Sequence, residues 1–347
     1  MTPPEVSLIV VTHDGRALLE ECLASLAALD YPAERLETIV YDNGSRDDTL
    51  EWLRARHPAV RSIAGGENLG FAAPNNRAAR VASAPLLCLV NNDMSFAPDF
   101  LSELVRAREA SGAACVGARI LDWAGERIEF DGGTMNFYGH GAPRRHGLPA
   151  AEVVGEVNPV ASLFASGGAM LIEREAFLSA GGFDERYFAY FEDVDLGWRL
   201  WLLGNQVVQA PAARAHHRGH ATEGALGAGR RAALLERNAL LTLYKNYEIE
   251  RGERVLRCAL ALLGERARID ATRRVACERG LAEFLVALPG AERDRAALAR
   301  RRVRSDREIA PLFLEPLRPP IGGEEYRARQ AELAALFGAV DLFAEAA

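Results

Sequence analysis

The residues best equipped for chemistry lie in one stretch, Gly181 to Gly204, which reads GGFDERYFAYFEDVDLGWRLWLLG. Four of its five carboxylates, Asp184, Glu192, Asp193 and Asp195, stand out there among Tyr187, Phe188, Tyr190 and Phe191. From Val194 onward, Leu196, Leu200 and Leu203 recur at helical spacing, and Gly204 is a natural stop. The acids therefore fall at a helix N-terminus, where the helix dipole favours negative charge. Capping needs a single Asp, and three acids in four positions exceed that need. An aromatic wall lowers the polarity around a carboxylate and lifts its pKa towards that of a useful general base.

A base of this kind needs a substrate held against it, and the N-terminal half is patterned to hold one. Val6 to Val11 is a continuous, mostly β-branched apolar run, which predicts a buried parallel strand. Thr12, His13, Asp14 and Gly15 form a polar turn, after which Leu18, Leu19, Cys22, Leu23 and Leu26 recur at helical spacing. Leu36 to Tyr41 predicts a second strand, ending in Asp42, Asn43, Gly44 and Ser45. Asp47 or Asp48 then caps a helix through Leu50 and Leu53 that stops at Pro58. Strand, loop and helix, twice over, predict a doubly wound α/β sheet, whose ligands bind beyond the carboxyl ends of the strands. Both polar turns lie at that end.

Further segments extend the pattern. In ENLGFAAPNNRAA, Glu67 to Ala79, Gly70 permits a close turn and a helix starts near Ala73 or Pro74. Pro85 to Val90 predicts a strand running into Asn91, Asn92, Asp93 and Met94. Pro98 to Ala110 predicts a helix, and Ala113 to Gly117 a short strand. Arg119 to Pro149 is glycine-rich, with a hairpin turning at Gly125 and a mobile part from Tyr138 to Gly147. Ser162 to Ile172 reads as a strand broken at Ser166, Gly167 and Gly168, and Gln206 to Gln209 as another. His216, His217 and His220 follow, three of seven histidines within five residues, which suits ligand binding. From Gly229 the pattern turns helical, through Leu234, Asn238, Leu241 and Lys245, then Leu256 to Leu263. Arg300 to Phe313 is basic, but Asp306 and Glu308 dilute it, so it reads as a solvated helix end. Pro316, Pro319, Pro320, Gly322 and Gly323 read as a linker before a terminal helix, Glu324 to Phe337.

The totals set bounds on function. The chain of 347 residues carries a net charge of −7, which argues against nucleic-acid binding. Its five cysteines, Cys22, Cys88, Cys115, Cys258 and Cys277, are scattered and form no CxxC pair, so neither a zinc site nor a disulfide framework is expected. No signal peptide and no apolar run of membrane-spanning length is read, so a cytoplasmic location is expected, with at most peripheral contact at the inner face of the membrane.

Taken together these segments resemble inverting family 2 glycosyltransferases, particularly their bacterial rhamnosyltransferase-like branch. The acidic stretch resembles that family's acceptor-side "ED" motif. DNGSRDDT, Asp42 to Thr49, resembles its D-N-x-S-x-D-x-T turn, and Asn68, Gly70, Phe71 and Asn76 meet its NxGFxxxxN pattern. The resemblance implies an α/β fold of the GT-A type, a Rossmann-like, mostly parallel sheet, with a helical C-terminal extension. Residues 1–225 would be the catalytic domain and 226–347 the helical region. It implies Asp193 as catalytic base with Glu192 beside it. Thr12, Asp42, Asn68, Gly70, Asn76, Asn91 and Asn92 would contact the nucleotide sugar, and Asp42 would accept the imide N–H of uracil or thymine. The family's metal-binding D-x-D is here Asn91-Asn92-Asp93, so one hard anionic ligand is replaced by an amide. Asp93 with His217 would hold Mn²⁺ or Mg²⁺. His217 is chosen over His216 because Thr222 follows at the family's five-residue spacing. Arg237 and Asn238 are a recurrent polar pair of that branch. The implied partners are a dTDP- or UDP-sugar donor and a glycan or lipid-linked acceptor in cell-surface polysaccharide synthesis. The alternatives are a non-catalytic sugar-nucleotide scaffold, which Asn91 makes conceivable, and a nucleotidyltransferase, whose Gly-rich activating loop with a basic residue is not read after the first strand of this chain.

Overall fold

Val6–Thr12 (β1) pairs in parallel with Leu36–Asp42 (β2) on one side and Leu86–Asn91 (β4) on the other. This is the arrangement found in a computed structural model, which describes residues 2–219, 227–313 and 324–338. Arg61–Ala64 (β3) extends the parallel block beyond β2. On the other side Ala169–Glu173 (β11) lies antiparallel between β4 and Cys115–Asp122 (β6). Val207–His217 (β12) then runs parallel to β6, and Val160–Ala161 (β10) borders it. Met94–Phe96 (β5) pairs with the end of β12, and Ile128–Phe130 (β7) with the end of β6. Gly133–Met135 (β8) and Gly141–Pro143 (β9) form a separate two-stranded ribbon.

Alternate residues of the central strands enter two different cores. Leu8, Val10, Val40, Cys88 and Val90 join one, while Ile9, Ile39, Leu87 and Leu89 join the other. That division explains the continuous apolar runs, since a parallel sheet covered on both faces has no polar side. The covering helices are Arg16–Ala27 (α1), Thr49–Arg56 (α2), Ala72–Val81 (α3), Phe100–Ser111 (α4), Arg174–Ser179 (α5) and Glu192–Leu202 (α6).

The C-terminal helices are Ala228–Asn246 (α7), Ile249–Ala267 (α8), Ala271–Arg301 (α9), Asp306–Ile309 (α10) and Glu324–Leu336 (α11). They share the larger core with the sheet: Trp198 of α6 meets Tyr247 edge-on at 4.7 Å, and the Tyr247 hydroxyl donates to the Phe137 carbonyl at 2.7 Å.

Four segments differ from expectation. The segment from Ser162 is irregular, and its strand begins only at Ala169. Strand β12 runs eleven residues rather than four, because a register shift between Ala210 and Arg214 breaks its pattern before it pairs again through His217. Tyr138 and His140, expected in a mobile part, are 2 % and 6 % exposed, packed under the C-terminal helices. The basic segment is not a solvated end. Arg301 donates to the Ser179 carbonyl, Arg304 to that of Asn205, and Arg302 to that of Asn246, so it straps the C-terminal side of α6. The expected linker, with Pro316, Pro319, Pro320, Gly322 and Gly323, lies outside the described residues, as do His220 and Thr222.

Candidate functional site

The parallel register brings the first group of site residues together. Thr12 stands opposite Asp42, and Val11 opposite Asn91, so three strand ends finish side by side. The Asn92 amide donates to the Thr12 hydroxyl at 2.9 Å. Asn43, which the sequence reading passed over, ties the two loops above. Its amide donates to Asn68 Oδ1 at 3.1 Å and to the Gly70 carbonyl at 2.9 Å, and its Oδ1 accepts from Leu69 N at 3.0 Å. Asn68 Oδ1 in turn accepts from Gly70 N at 2.9 Å. Asp42 is 3 % exposed, and its Oδ1 is buried with no hydrogen-bond partner. An acceptor left bare in this way is costly unless something else fills it.

Asn76 is placed elsewhere. Its amide donates to the Phe183 carbonyl at 2.8 Å and to Glu185 at 3.1 Å, and its oxygen accepts from Phe183 N at 2.9 Å. It joins α3 to the front of the acidic stretch rather than lining the cluster at the strand ends.

The second group gathers where β5 meets β12. His217 pairs with Met94 in the ladder, which sets its ring beside Asp93, with Nε2 3.3 Å from the carboxylate. Its other nitrogen, Nδ1, donates to Glu129 of β7 at 2.6 Å. Burial pulls the imidazole pKa down, but hydrogen bonds to Asp93 and Glu129, and their charges, outweigh it and push it up to about 10. Asp93 keeps one further oxygen, Oδ1, buried without a partner. Among the described residues no three His, Cys, Asp or Glu side chains are arranged to hold an ion. Glu129 sits on the far side of the ring, so the pair Asp93 and His217 offers two donors. An open carboxylate oxygen beside an imidazole steered by a second carboxylate fits a divalent cation that takes its remaining ligands from a substrate. His216, one residue earlier on β12, stands opposite Ser95 and near Gly125, away from Asp93.

The acids of the third group divide by role. Asp195 is fully buried and receives Arg199 Nε at 2.9 Å, Lys245 Nζ at 2.9 Å and Asn246 Nδ2 at 3.0 Å. Asp184 is paired with Arg186 and Lys245. Both are structural. Asp193 is half-buried and, among the described residues, accepts only backbone N–H groups: Gly167 at 3.2 Å and Val194 at 2.8 Å. Burial lifts its pKa to about 6 against those hydrogen bonds. Glu192 is buried with Oε2 unpartnered, and burial first, then the charge of Asp193, pushes its pKa well above the usual carboxylate range. Next to Gly167, the Gly168 carbonyl accepts from Asn91 N at 2.9 Å. A Cβ on Gly167 would meet the Phe71 ring, and one on Gly168 the Asn91 amide, both at 2.9 Å. The two glycines thus let Asp193, Asn91 and Phe71 close around one point.

The loop in front of Glu192 is strained. Phe188, Tyr190 and Phe191 have φ of 65°, 69° and 68°, which aromatic residues rarely adopt. Each costs on the order of 1–2 kcal/mol. Asn238, with no exposed surface, donates to the carbonyls of Tyr187 at 3.3 Å, Ala189 at 2.9 Å and Tyr190 at 2.6 Å. Arg237 donates to those of Arg186 and Tyr187, both at 2.7 Å. At roughly 1 kcal/mol net per bond, these contacts are large enough to offset the strain. The Phe188 carbonyl also accepts from Phe71 N at 2.6 Å, joining this loop to the Asn68–Gly70 turn.

Comparison with known proteins agrees with this arrangement. Residues 7–177 match the family described as Glycosyl transferase family 2. The N-acetylglucosaminyl-diphospho-decaprenol L-rhamnosyltransferase of Mycobacterium tuberculosis is 33 % identical over 240 residues, 62 % of this chain and 76 % of that protein. The O-antigen biosynthesis protein RfbC of Myxococcus xanthus is 32 % identical over 224 residues, 62 % of this chain and 17 % of that protein. Among solved structures, GalNAc-T7 with UDP, GalNAc and Mn²⁺ superposes with a TM-score of 0.59 at 15 % identity, over 83 % of this chain and 58 % of that one. The mannosyltransferase PcManGT of Pyrobaculum calidifontis, with GDP-Man and Mn²⁺, gives 0.53 at 19 % identity, over 98 % and 87 %. These structural likenesses support the GT-A fold, and the sequence likenesses the chemistry: the chain belongs to glycosyl transferase family 2 and is a glycosyltransferase of its rhamnosyltransferase-like branch.

Proposed function

We propose that the protein transfers one sugar from a dTDP- or UDP-sugar to a hydroxyl of a glycan or lipid-linked acceptor, with inversion at the anomeric carbon. The observation that carries this reading is the Asp193 carboxylate. It is half-buried, held by N–H groups alone, tuned to about 6, and tied through Gly167 and Gly168 to the strand end that carries Asn91. At neutral pH it is ionised and accepts the acceptor's proton as that oxygen attacks. Burial, and then the charge of Asp193, pushes Glu192 beside it towards the neutral form.

On the donor side, Asp42 Oδ1 waits for the imide N–H of the base. Thr12, Asn92, Asn68 and Gly70 shape the pocket wall around it. Asp93 and His217 would hold Mn²⁺ or Mg²⁺, which when bound neutralises charge on the departing diphosphate. The Mn²⁺ in the two structural neighbours supports a divalent ion here. We take residues 1–225 as the catalytic domain that carries these groups, with the described helices of the region 226–347 packed against it. The decaprenol-linked acceptor in the mycobacterial relative's name supports a lipid-linked acceptor and rhamnose as the sugar. No helix among the described residues is long and apolar enough to cross a membrane; on this reading the protein meets a lipid-linked acceptor by peripheral contact at the inner membrane face.

The test incubates the protein with dTDP-rhamnose and UDP-sugars plus Mn²⁺ and follows the released products. Nucleoside diphosphate, with an inverted product sugar, is expected. Pyrophosphate would indicate a nucleotidyltransferase, and no release from any donor a scaffold.

A further inference from the structure

We infer that Asn238 and Arg237 of α7 are positioning residues for the reaction, holding the strained aromatic loop Tyr187–Phe191 so that Glu192 and Asp193 enter α6 aimed at the substrates. This rests on the reading of Asp193 as the base. Three left-handed aromatic residues directly precede Glu192, and nothing in their own chemistry favours that conformation. The loop would relax if it were free to do so. Its carbonyls are held on one side by Asn238 and Arg237 of α7.

Asn238 is the central contact. One amide nitrogen serves three carbonyls of the loop, while its Oδ1 accepts from Arg237 Nε at 2.8 Å, which fixes the orientation of the amide. Arg237 spends one nitrogen on two further carbonyls and is itself oriented by Glu283 of α9 at 3.3 Å. Neither residue touches the strand ends where the donor would sit. Both act through the loop.

The loop also reaches the donor side. The Phe188 carbonyl accepts from Phe71 N, and a Cβ on Gly70 would run into that carbonyl and the Phe188 ring. Gly70 itself has φ of +78°. The turn that carries Asn68 is therefore hydrogen-bonded, through Phe71 N and Ala72 N, to the clamped loop that leads into the helix carrying Asp193. Releasing the clamp lets Phe191 swing away from α6 and admits water to Asp193, whose neighbours on its own helix are Glu192 and the paired Asp195. From the facing segment it meets the uncharged Gly167 backbone.

The experiment compares the full chain with Asn238→Ala and Arg237→Lys. Aspartate carboxyls are labelled with ¹³C, and the Asp193 signal is identified by its loss in Asp193→Asn. Its titration midpoint is expected to fall from about 6 by roughly a unit or more in both variants, as solvent enters. Turnover of dTDP-rhamnose should fall on the order of a hundredfold per folded molecule, the size expected of a misplaced catalytic group. Arg237→Lys keeps a cation, but a single ammonium cannot reach Asn238 Oδ1, Glu283 and the two carbonyls together as the guanidinium fork does, so it tests the same idea if Asn238→Ala does not fold. A lowered melting temperature with an unmoved Asp193 midpoint would overturn the inference, leaving the pair with a purely structural role. Retained turnover in Asp193→Asn would instead overturn the base assignment, and the midpoint would still report on the clamp.

Discussion

Glu129 and His217, 88 positions apart in the chain, meet at 2.6 Å, and the contact turns the opposite ring nitrogen towards Asp93. A carboxylate behind a histidine fixes its ring and raises its basicity as a ligand, and loss of such a partner typically weakens metal binding about 10- to 100-fold. Glu129→Ala is therefore expected to weaken Mn²⁺ binding by about that factor in calorimetric titrations run with nucleoside diphosphate present. In the wild type, binding should be tighter with the nucleotide than without it, because two protein donors leave most of the coordination to the diphosphate. Asp93→Ala should abolish that gain. An Asp93→Ala protein that kept it would place the ion elsewhere.

Asp42 separates binding from stability. Its buried, unpartnered Oδ1 contributes nothing to the fold that would be missed. Asp42→Ala should leave the melting temperature nearly unchanged. Affinity for UDP and dTDP should drop by roughly 1–3 kcal/mol, the scale of a charged hydrogen bond. Equal affinity in the variant would reduce Asp42 to a turn residue.

The pH dependence follows from Asp193. Its pKa is raised by burial to about 6, so the base is protonated below that pH and ionised above it. Turnover should rise with pH through a midpoint near 6. The effect on stability has the opposite sign: the folded state prefers the neutral carboxyl, so stability falls as pH rises from the ordinary carboxylate range through 6. Burial first, and then the charge of Asp193, pushes Glu192 towards its neutral form, which an amide mimics. Glu192→Gln should thus leave the midpoint near 6, whereas a drop of a unit would show that Glu192 carries charge.

Much of this was legible in the sequence, and the gaps have physical causes. The apolar runs at Val6, Leu36 and Pro85 announced parallel strands, because burial on both faces leaves no other pattern. The polar turns after them were correctly placed at the strand ends. Asn43 was hidden by its motif, where it reads as an ordinary turn residue beside Asp42. Glu129 was hidden because it sits in an irregular glycine-rich segment with no periodicity to give it a partner. The acids of the FEDVD run looked alike in sequence, yet only the fold shows that Lys245, fifty residues later, takes Asp195. The strain at Phe188, Tyr190 and Phe191 left no trace at all, since none is glycine.

The division among those acids yields the last prediction. Asp195 and Lys245 are 0 % and 3 % exposed in their side chains, and Lys245 also serves Asp184 at 2.5 Å. Removing one partner leaves an uncompensated buried charge, which costs about 3–5 kcal/mol. Lys245→Met should therefore lower the unfolding free energy by about that amount, measured by urea titration at neutral pH. Asp193→Asn removes a group that carries no ion pair among the described residues, and its one amide oxygen can keep the N–H of Gly167 or that of Val194, which bond different carboxylate oxygens, so at most one hydrogen bond is lost. It should unfold within about 1 kcal/mol of the wild type, while turnover falls by roughly a hundredfold or more. The two substitutions thus move opposite observables. A stable, active Lys245→Met protein would mean that α6 is held by Arg199 and Asn246 alone. An unstable Asp193→Asn protein would make its carboxylate part of the scaffold, with the loss of turnover explained by unfolding.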